Sequence, residues 1–232
     1  MIRPHEAARS GGGAVVDPQS LSPAPWPVLP SGRSRTAATP AVAAAVGMAF
    51  GVATAYGQLW LPSEIASLAN SSGSWSLVAF VLALRSRSPR IAALCGALAL
   101  AGLLAGYVLG AAVRGDTSSR SLIVFWGLAA LTAGPVLGVS AHWCARAGDR
   151  LVAVGAGVMS GVLVGEGVWA LASVADTTYP PYWWAEIVVG LVLLAAVTRR
   201  LPRASVVLAV VVTAGMAAAL FAVYGLSLIR FV

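Results

Sequence analysis

Lysine is absent from this chain of 232 residues, and all fifteen basic residues are arginine. Charge of either sign is scarce. Only 10% of residues are charged, against about 25% in a soluble globular domain. A water-soluble fold is thereby excluded for most of the chain, because too little polar surface exists to cover it. The missing lysine, together with abundant Ala, Gly and Val, suggests a high-GC genome. Cysteine and histidine number two each. Cys95 and Cys144 show no disulfide pattern and fall near segment ends expected on the cytoplasmic side, where thiols stay reduced. With His142 they supply at most three soft ligands, without the close spacing and fourth ligand of a structural metal site. No metal or cofactor is expected.

Catalytic signatures are missing too. No Gly-rich phosphate loop follows a strand, and no HExxH or Ser/Lys constellation lies within a segment, so no enzyme is expected. The net charge of +7 does not signal nucleic acid, because the arginines stand at the ends of apolar segments, where they set membrane topology.

What the chain does have is apolar length. Mean hydropathy is +0.85, and the apolar residues fall into seven runs at roughly 40–60, 64–84, 91–113, 121–144, 151–175, 182–198 and 204–229. Crossing a hydrocarbon core about 30 Å thick takes about 20 helical residues, and most runs qualify. They are continuous rather than alternating, which excludes the strands of a membrane β-barrel. The expected fold is all-α, a polytopic transmembrane bundle of about seven helices, or six if the second run is re-entrant. Residues 1–38 are rich in Pro, Gly, Ser and Arg and cannot bury a core, so they form a disordered cytoplasmic tail ahead of a transmembrane domain at 39–232. Trp26, in "PAPWP", is either an incidental aromatic or a docking point for a partner.

Arginine placement orients the bundle. With the N-terminus inside, twelve arginines fall on the inner side and three (Arg114, Arg120, Arg230) on the outer side. That bias is a strong positive-inside signal. It gives a protein of the cell's inner (plasma) membrane with a cytoplasmic N-terminus and an extracytoplasmic C-terminus. Small residues recur at four-residue spacing, as in Gly47 and Gly51, or Gly157, Gly161 and Gly165, and suit close helix packing. That packing is within the bundle first and between copies or partners second. Ala41, Ala45, Ala49 and Ala53 add a smooth ridge to the first segment.

The second run is interrupted by "ANSSGSW", residues 69–75. From Ser74, an N-cap by type, to Leu84 the helix spans roughly 16 Å, about half the hydrocarbon core. Residues 64–73 then form a short helix broken at "NSSG" or a loop dipping in from outside. Non-helical backbone at membrane depth survives only where protein buries it or water reaches it. A half-helix starting there aims free N–H groups and a positive dipole end into that space, as transporter sites do. The plainer alternative is an ordinary outer loop before a short helix.

Other polar and aromatic residues gather at the same depth. Glu166, in "VLVGEGVWAL", is a carboxylate within a membrane run, and such a group is costly. It is either a site residue or a structural hydrogen-bond acceptor. Trp169 follows on its face. Glu186 opens the sixth run behind Trp183, and the neighbouring aromatics also suit an interfacial belt. Gln58, Asn70, Ser72, Trp75 and Trp126 complete a candidate substrate-binding set that lies toward the outside.

The combination "QLWLP…LANSSGSWSLVAF…FWGLAALTAGPVLG…GVLVGEGVWAL…YWWAEI" resembles an actinobacterial family of multi-pass membrane proteins of unknown function, over about residues 40–230. More loosely, the chain is similar to the substrate-binding subunits of energy-coupling-factor vitamin transporters. Those small six-helix proteins bind substrate near the outer face and meet their transport module through a small-residue ridge. The ridge Ala41, Ala45, Ala49 fits that plan, and a seventh segment departs from it. Two functions remain open. One is binding or transport of a small solute, alone or as a transporter subunit. The other is an accessory role, holding a membrane-protein partner or a second copy through the tail or smooth helix faces.

Overall fold

The computed structural model describes residues 39–231, with side chains to residue 226. The tail at 1–38, with Trp26, and the side chain of Arg230 lie outside the described residues. Eight α-helices follow in order: α1 (Pro40–Trp60), α2 (Ser63–Ala66), α3 (Ser72–Ala83), α4 (Pro89–Val113), α5 (Arg120–Arg146), α6 (Asp149–Ser173), α7 (Pro180–Thr198) and α8 (Arg203–Phe231). There is no strand among the described residues. Six helices are long and apolar enough to cross a membrane, and α2 with its following 3₁₀ turn forms with α3 a bent pair, which is a broken seventh span or a re-entrant loop. This is a multi-pass membrane bundle.

Helix ends follow local chemistry. Thr39 caps α1 by accepting from the Val42 N–H at 3.3 Å, and Ser88 does the same for Ile91 at the start of α4. Proline opens α1, α4 and α7, where its missing N–H costs nothing.

Glycine decides which helices meet. Gly47 and Gly51 of α1 lie against the α4 backbone, and a Cβ added at Gly51 would come 2.8 Å from Leu103 C and Tyr107 N. Gly102, Gly106 and Gly110 face back onto α1, so the two helices run parallel in direct backbone contact. Gly157, Gly161 and Gly165 of α6 give the same seam with α8. Gly134 and Gly138 of α5 meet α4. Backbones this close gain dispersion contacts without relying on the hydrophobic effect, which is weak between helices in lipid. The four-residue spacings therefore serve packing within the bundle. The face of Ala41, Ala45, Ala49 and Ala53 is instead exposed.

At the centre stands α6. In its most apolar stretch 78% of residues are buried, against 11% for α8. A helix apolar all round belongs in a core, and α6 takes that place, with Met159 and Leu163 fully enclosed. The alternation of long helices gathers Arg85, Arg87, Arg90, Arg146, Arg150, Arg199, Arg200 and Arg203 in or beside the turns at one end. Arg114 and Arg120 sit at the other, together with the start of α3. At the arginine-rich end His142 Nδ1 lies 3.2 Å from the Ser86 carbonyl oxygen, tying α5 to the turn after α3. No group of three or more His, Cys, Asp or Glu side chains is placed to hold a metal among the described residues.

Candidate functional site

The break in the second segment falls at Asn70 and Ser71. A short helix and a 3₁₀ turn (Ser67–Ala69) precede it, and α3 leaves at 52° to them. The cap is Ser71, three residues before the expected Ser74: its Oγ accepts from the Ser74 N–H at 3.1 Å. The first turn of α3 therefore includes the serines and glycine that read as a loop in the sequence.

A helix start leaves backbone N–H groups without partners, and here the partner is Glu166. Its Oε1 accepts from the Ser72 N–H at 2.8 Å. Its Oε2 accepts from the Gly73 N–H and, at 3.0 Å, from Ser71 Oγ. Glu166 is 4% exposed, so this carboxyl group is buried at a helix start, whose N–H groups and dipole favour an acceptor there. Glu186 approaches from α7: Ser71 Oγ lies 3.1 Å from its Oε1. One hydroxyl hydrogen serves one of the two glutamates at a time. Glu186 Oε2 has no hydrogen-bond partner. Gly73 makes room for both, since a Cβ there would overlap Glu186 Oε1 and stand 2.8 Å from Glu166 Oε2.

Around this joint runs an aromatic wall. Tyr107 and Trp75 pack at 6.0 Å between ring centroids, Trp75 and Trp126 at 6.0 Å, Trp126 and Tyr224 at 6.5 Å, and Tyr224 and Trp169 at 4.7 Å, all tilted or edge-on. Tyr224 donates to Ser72 Oγ at 2.5 Å, pinning α8 to the start of α3. Gln58 joins α1 to the wall: its Nε2 donates to Asn70 Oδ1 at 3.2 Å, and its Oε1 accepts from Tyr107 at 3.3 Å.

Three cavities adjoin the wall, and all three touch Trp126. One, of about 420 Å³, is lined by Gln58, Asn70, Ser72, Trp75, Tyr107, Arg114 and the α4–α5 loop. Another, of about 450 Å³, reaches Asn70, Trp126, Glu166, Trp169, Trp183 and Tyr224. The largest, about 560 Å³, is a mainly apolar cleft between α5 and α8 that begins at Ser72 and Trp75. Each falls in the size range of small-molecule pockets.

Eight of the nine sequence-chosen residues line the first two cavities: Gln58, Asn70, Ser72, Trp75, Trp126, Glu166, Trp169 and Trp183. Glu186 lies behind Ser71 and lines none of the three. The aromatics ahead of it divide. Trp184 and Tyr179 are exposed, whereas Trp183 is buried and donates to Thr178 Oγ1 at 2.8 Å. Sequence reading missed Ser71, Tyr107, Arg114 and Tyr224. Ser71 was legible as one more serine before a helix. The two tyrosines carry no local signal, because only the packing of α4 and α8 against α3 brings them in.

A model of the family described as "Family of unknown function (DUF6518)" matches residues 30–229. The chain belongs to that family. Every cavity-lining residue lies within the part matched to DUF6518. No curated protein and no solved structure matches the chain.

Proposed function

We propose that this DUF6518 protein binds a small molecule in the cleft around the start of α3, as a transporter or as the substrate-binding subunit of one. The observation that carries the reading is the aromatic wall from Tyr107 to Trp169, flanked by cavities where a broken span meets the bundle. Aromatic faces with a few fixed polar groups suit ligand binding, and broken helices are how membrane carriers place polar groups within the bilayer. The positive-inside count puts this end of the bundle outside the cell and the N-terminus in the cytoplasm of a plasma-membrane protein. The protein is read as a binder rather than an enzyme.

Two observations favour the accessory reading instead. Both oxygens of Glu166 are taken by Ser71, Ser72 and Gly73, so that carboxylate serves the fold. The exposed alanine face of α1 suits a neighbouring helix, as the likeness to energy-coupling-factor subunits implies. Native mass spectrometry from lipid nanodiscs separates the readings. The wild type should carry a bound species that a Trp126→Ala, Trp169→Ala protein loses. Identical spectra, together with a stoichiometric membrane-protein partner retained by both, would leave the accessory role standing.

A further inference from the structure

The largest of the three cavities has a direction. It follows α5 from Phe125 to Leu137, twelve residue steps, or roughly 18 Å of helix. Its floor is Val158 and Val162 of α6, and its far wall is Met216, Ala219, Leu220 and Val223 of α8. Several lining side chains are also open to the surroundings: Leu128 is 59% exposed and Val136 46%. The cleft is therefore a trough in the membrane-facing side of the bundle, apolar along its length.

At the α3 end the trough changes character. Ser72, Trp75, Leu104 and Trp126 line both the trough and the polar cavity at the bundle end, so the two spaces adjoin there. Two of the side chains that line that polar cavity each hold a buried hydrogen-bond donor without a partner. Trp75 Nε1 is buried without a partner, and so is Arg114 Nη1. Arg114 spends its Nε and Nη2 on Asp116 at 3.0 and 2.5 Å, and its guanidinium lies over the Tyr56 ring at 5.6 Å. The group is thus held in place with one edge unspent. Buried donors without acceptors are costly. A guanidinium edge and an indole N–H lining one cavity suit an oxyanion.

We infer that the ligand, on the small-molecule reading above, is a single-chain amphiphile taken from the bilayer. Its apolar chain lies in the α5–α8 trough, and its oxyanion headgroup reaches Trp75 and Arg114. Carboxylate and phosphate heads share the required chemistry. Trp75 stands at the junction, where a chain becomes a headgroup.

The test uses the full-length protein in nanodiscs of neutral phosphatidylcholine. A fatty acid with a chain-borne diazirine is photo-crosslinked, and its labelled peptides are mapped. Labelling should fall on α5 and α8 residues of the trough and be competed by oleate and by dodecyl phosphate. Oleyl alcohol should compete more weakly. Arg114→Gln should weaken oleate competition about tenfold or more, the loss expected for one charge-assisted hydrogen bond, and leave oleyl alcohol unchanged. Ala133→Trp and Ala219→Trp, exposed positions on opposite walls, should each abolish trough labelling while the protein stays monodisperse.

The inference is overturned by labelling spread evenly over all membrane-facing helices. It is also overturned by labelling that both tryptophan plugs leave intact, or by equal competition from oleate and oleyl alcohol. If those outcomes appear while the wild type still carries a species lost with Trp126 and Trp169, the binding role stands and only the amphiphile is wrong.

Discussion

Glutamine at position 166 is close in shape to the native side chain, and by shape alone Glu166→Gln would be expected to leave the fold intact. The hydrogen bonds predict otherwise. Three donors converge on this carboxylate: the N–H groups of Ser72 and Gly73 and the Ser71 hydroxyl. An amide offers one oxygen and turns an NH₂ toward at least one backbone N–H. Losing a charge-assisted bond while leaving a buried donor unpaired costs about 1.5–3 kcal/mol. Losing the anion at a helix start adds roughly 0.3–1 kcal/mol. The sum is ~3 kcal/mol. For a chain of this size each kcal/mol moves the melting temperature by about 2–4 °C, so the loss should be roughly 6–12 °C. Thermal unfolding of the detergent-solubilised protein, followed by tryptophan emission, gives the number. Ser71→Ala should lower the melting temperature less, because it removes the donor to the carboxylates and the acceptor for Ser74 but leaves both Glu166–backbone bonds. A Glu166→Gln protein that melts with the wild type would show that Glu166 does not hold the break, and the account of α3 would fail with it.

Two further expectations rest on the same geometry. Gly73→Ala should destabilise by about 1–3 kcal/mol, the range for overpacking a filled site, and adding Glu186→Ala should restore part of that, because the added Cβ overlaps Glu186 Oε1 first. No rescue in a melting assay would place the conflict elsewhere. A reporter fused at the C-terminus should behave as extracytoplasmic and one near residue 148 as cytoplasmic. Matching signals at both would break the alternation of α6, α7 and α8, and the inverted pair, 148 outside and the C-terminus inside, would make the second segment re-entrant.

Apolar run length carried most of the fold into the sequence. The six long runs correspond to α1 and α4 through α8 with small shifts at their ends, because crossing a bilayer constrains length more tightly than packing does. The second segment was legible as broken. Its joint was displaced by three residues, since Ser71 and Ser74 are equally good caps by type and only the positions of Glu166 and Glu186 favour Ser71. The candidate site was legible as a depth: polar and aromatic residues collected at one end of the runs, and eight of them line adjoining cavities. What composition could not give is which helices touch. Tyr224 stands 152 residues from Ser72 in sequence, and the α6–α8 glycine seam that brings it there is a property of two surfaces meeting. The role of Glu166 was likewise undecidable from its own neighbourhood, because its donors lie 93 to 95 residues away.

The central claim is that the start of α3 faces a cavity open at the end of the bundle, and thiol accessibility tests it most directly. The background is a protein carrying Cys95→Ala and Cys144→Ala, in right-side-out vesicles with a membrane-impermeant maleimide. Ser72 lines two of the cavities, and Ser71 beside it is 0% exposed. Ser72→Cys should react from the outer side, more slowly than Thr117→Cys in the exposed α4–α5 loop, and Ser71→Cys should stay unreactive. Equal rates at 71, 72 and 117 would make the segment an ordinary outer loop. No reaction at 72 would mean that no cavity opens there, and either result would contradict the account.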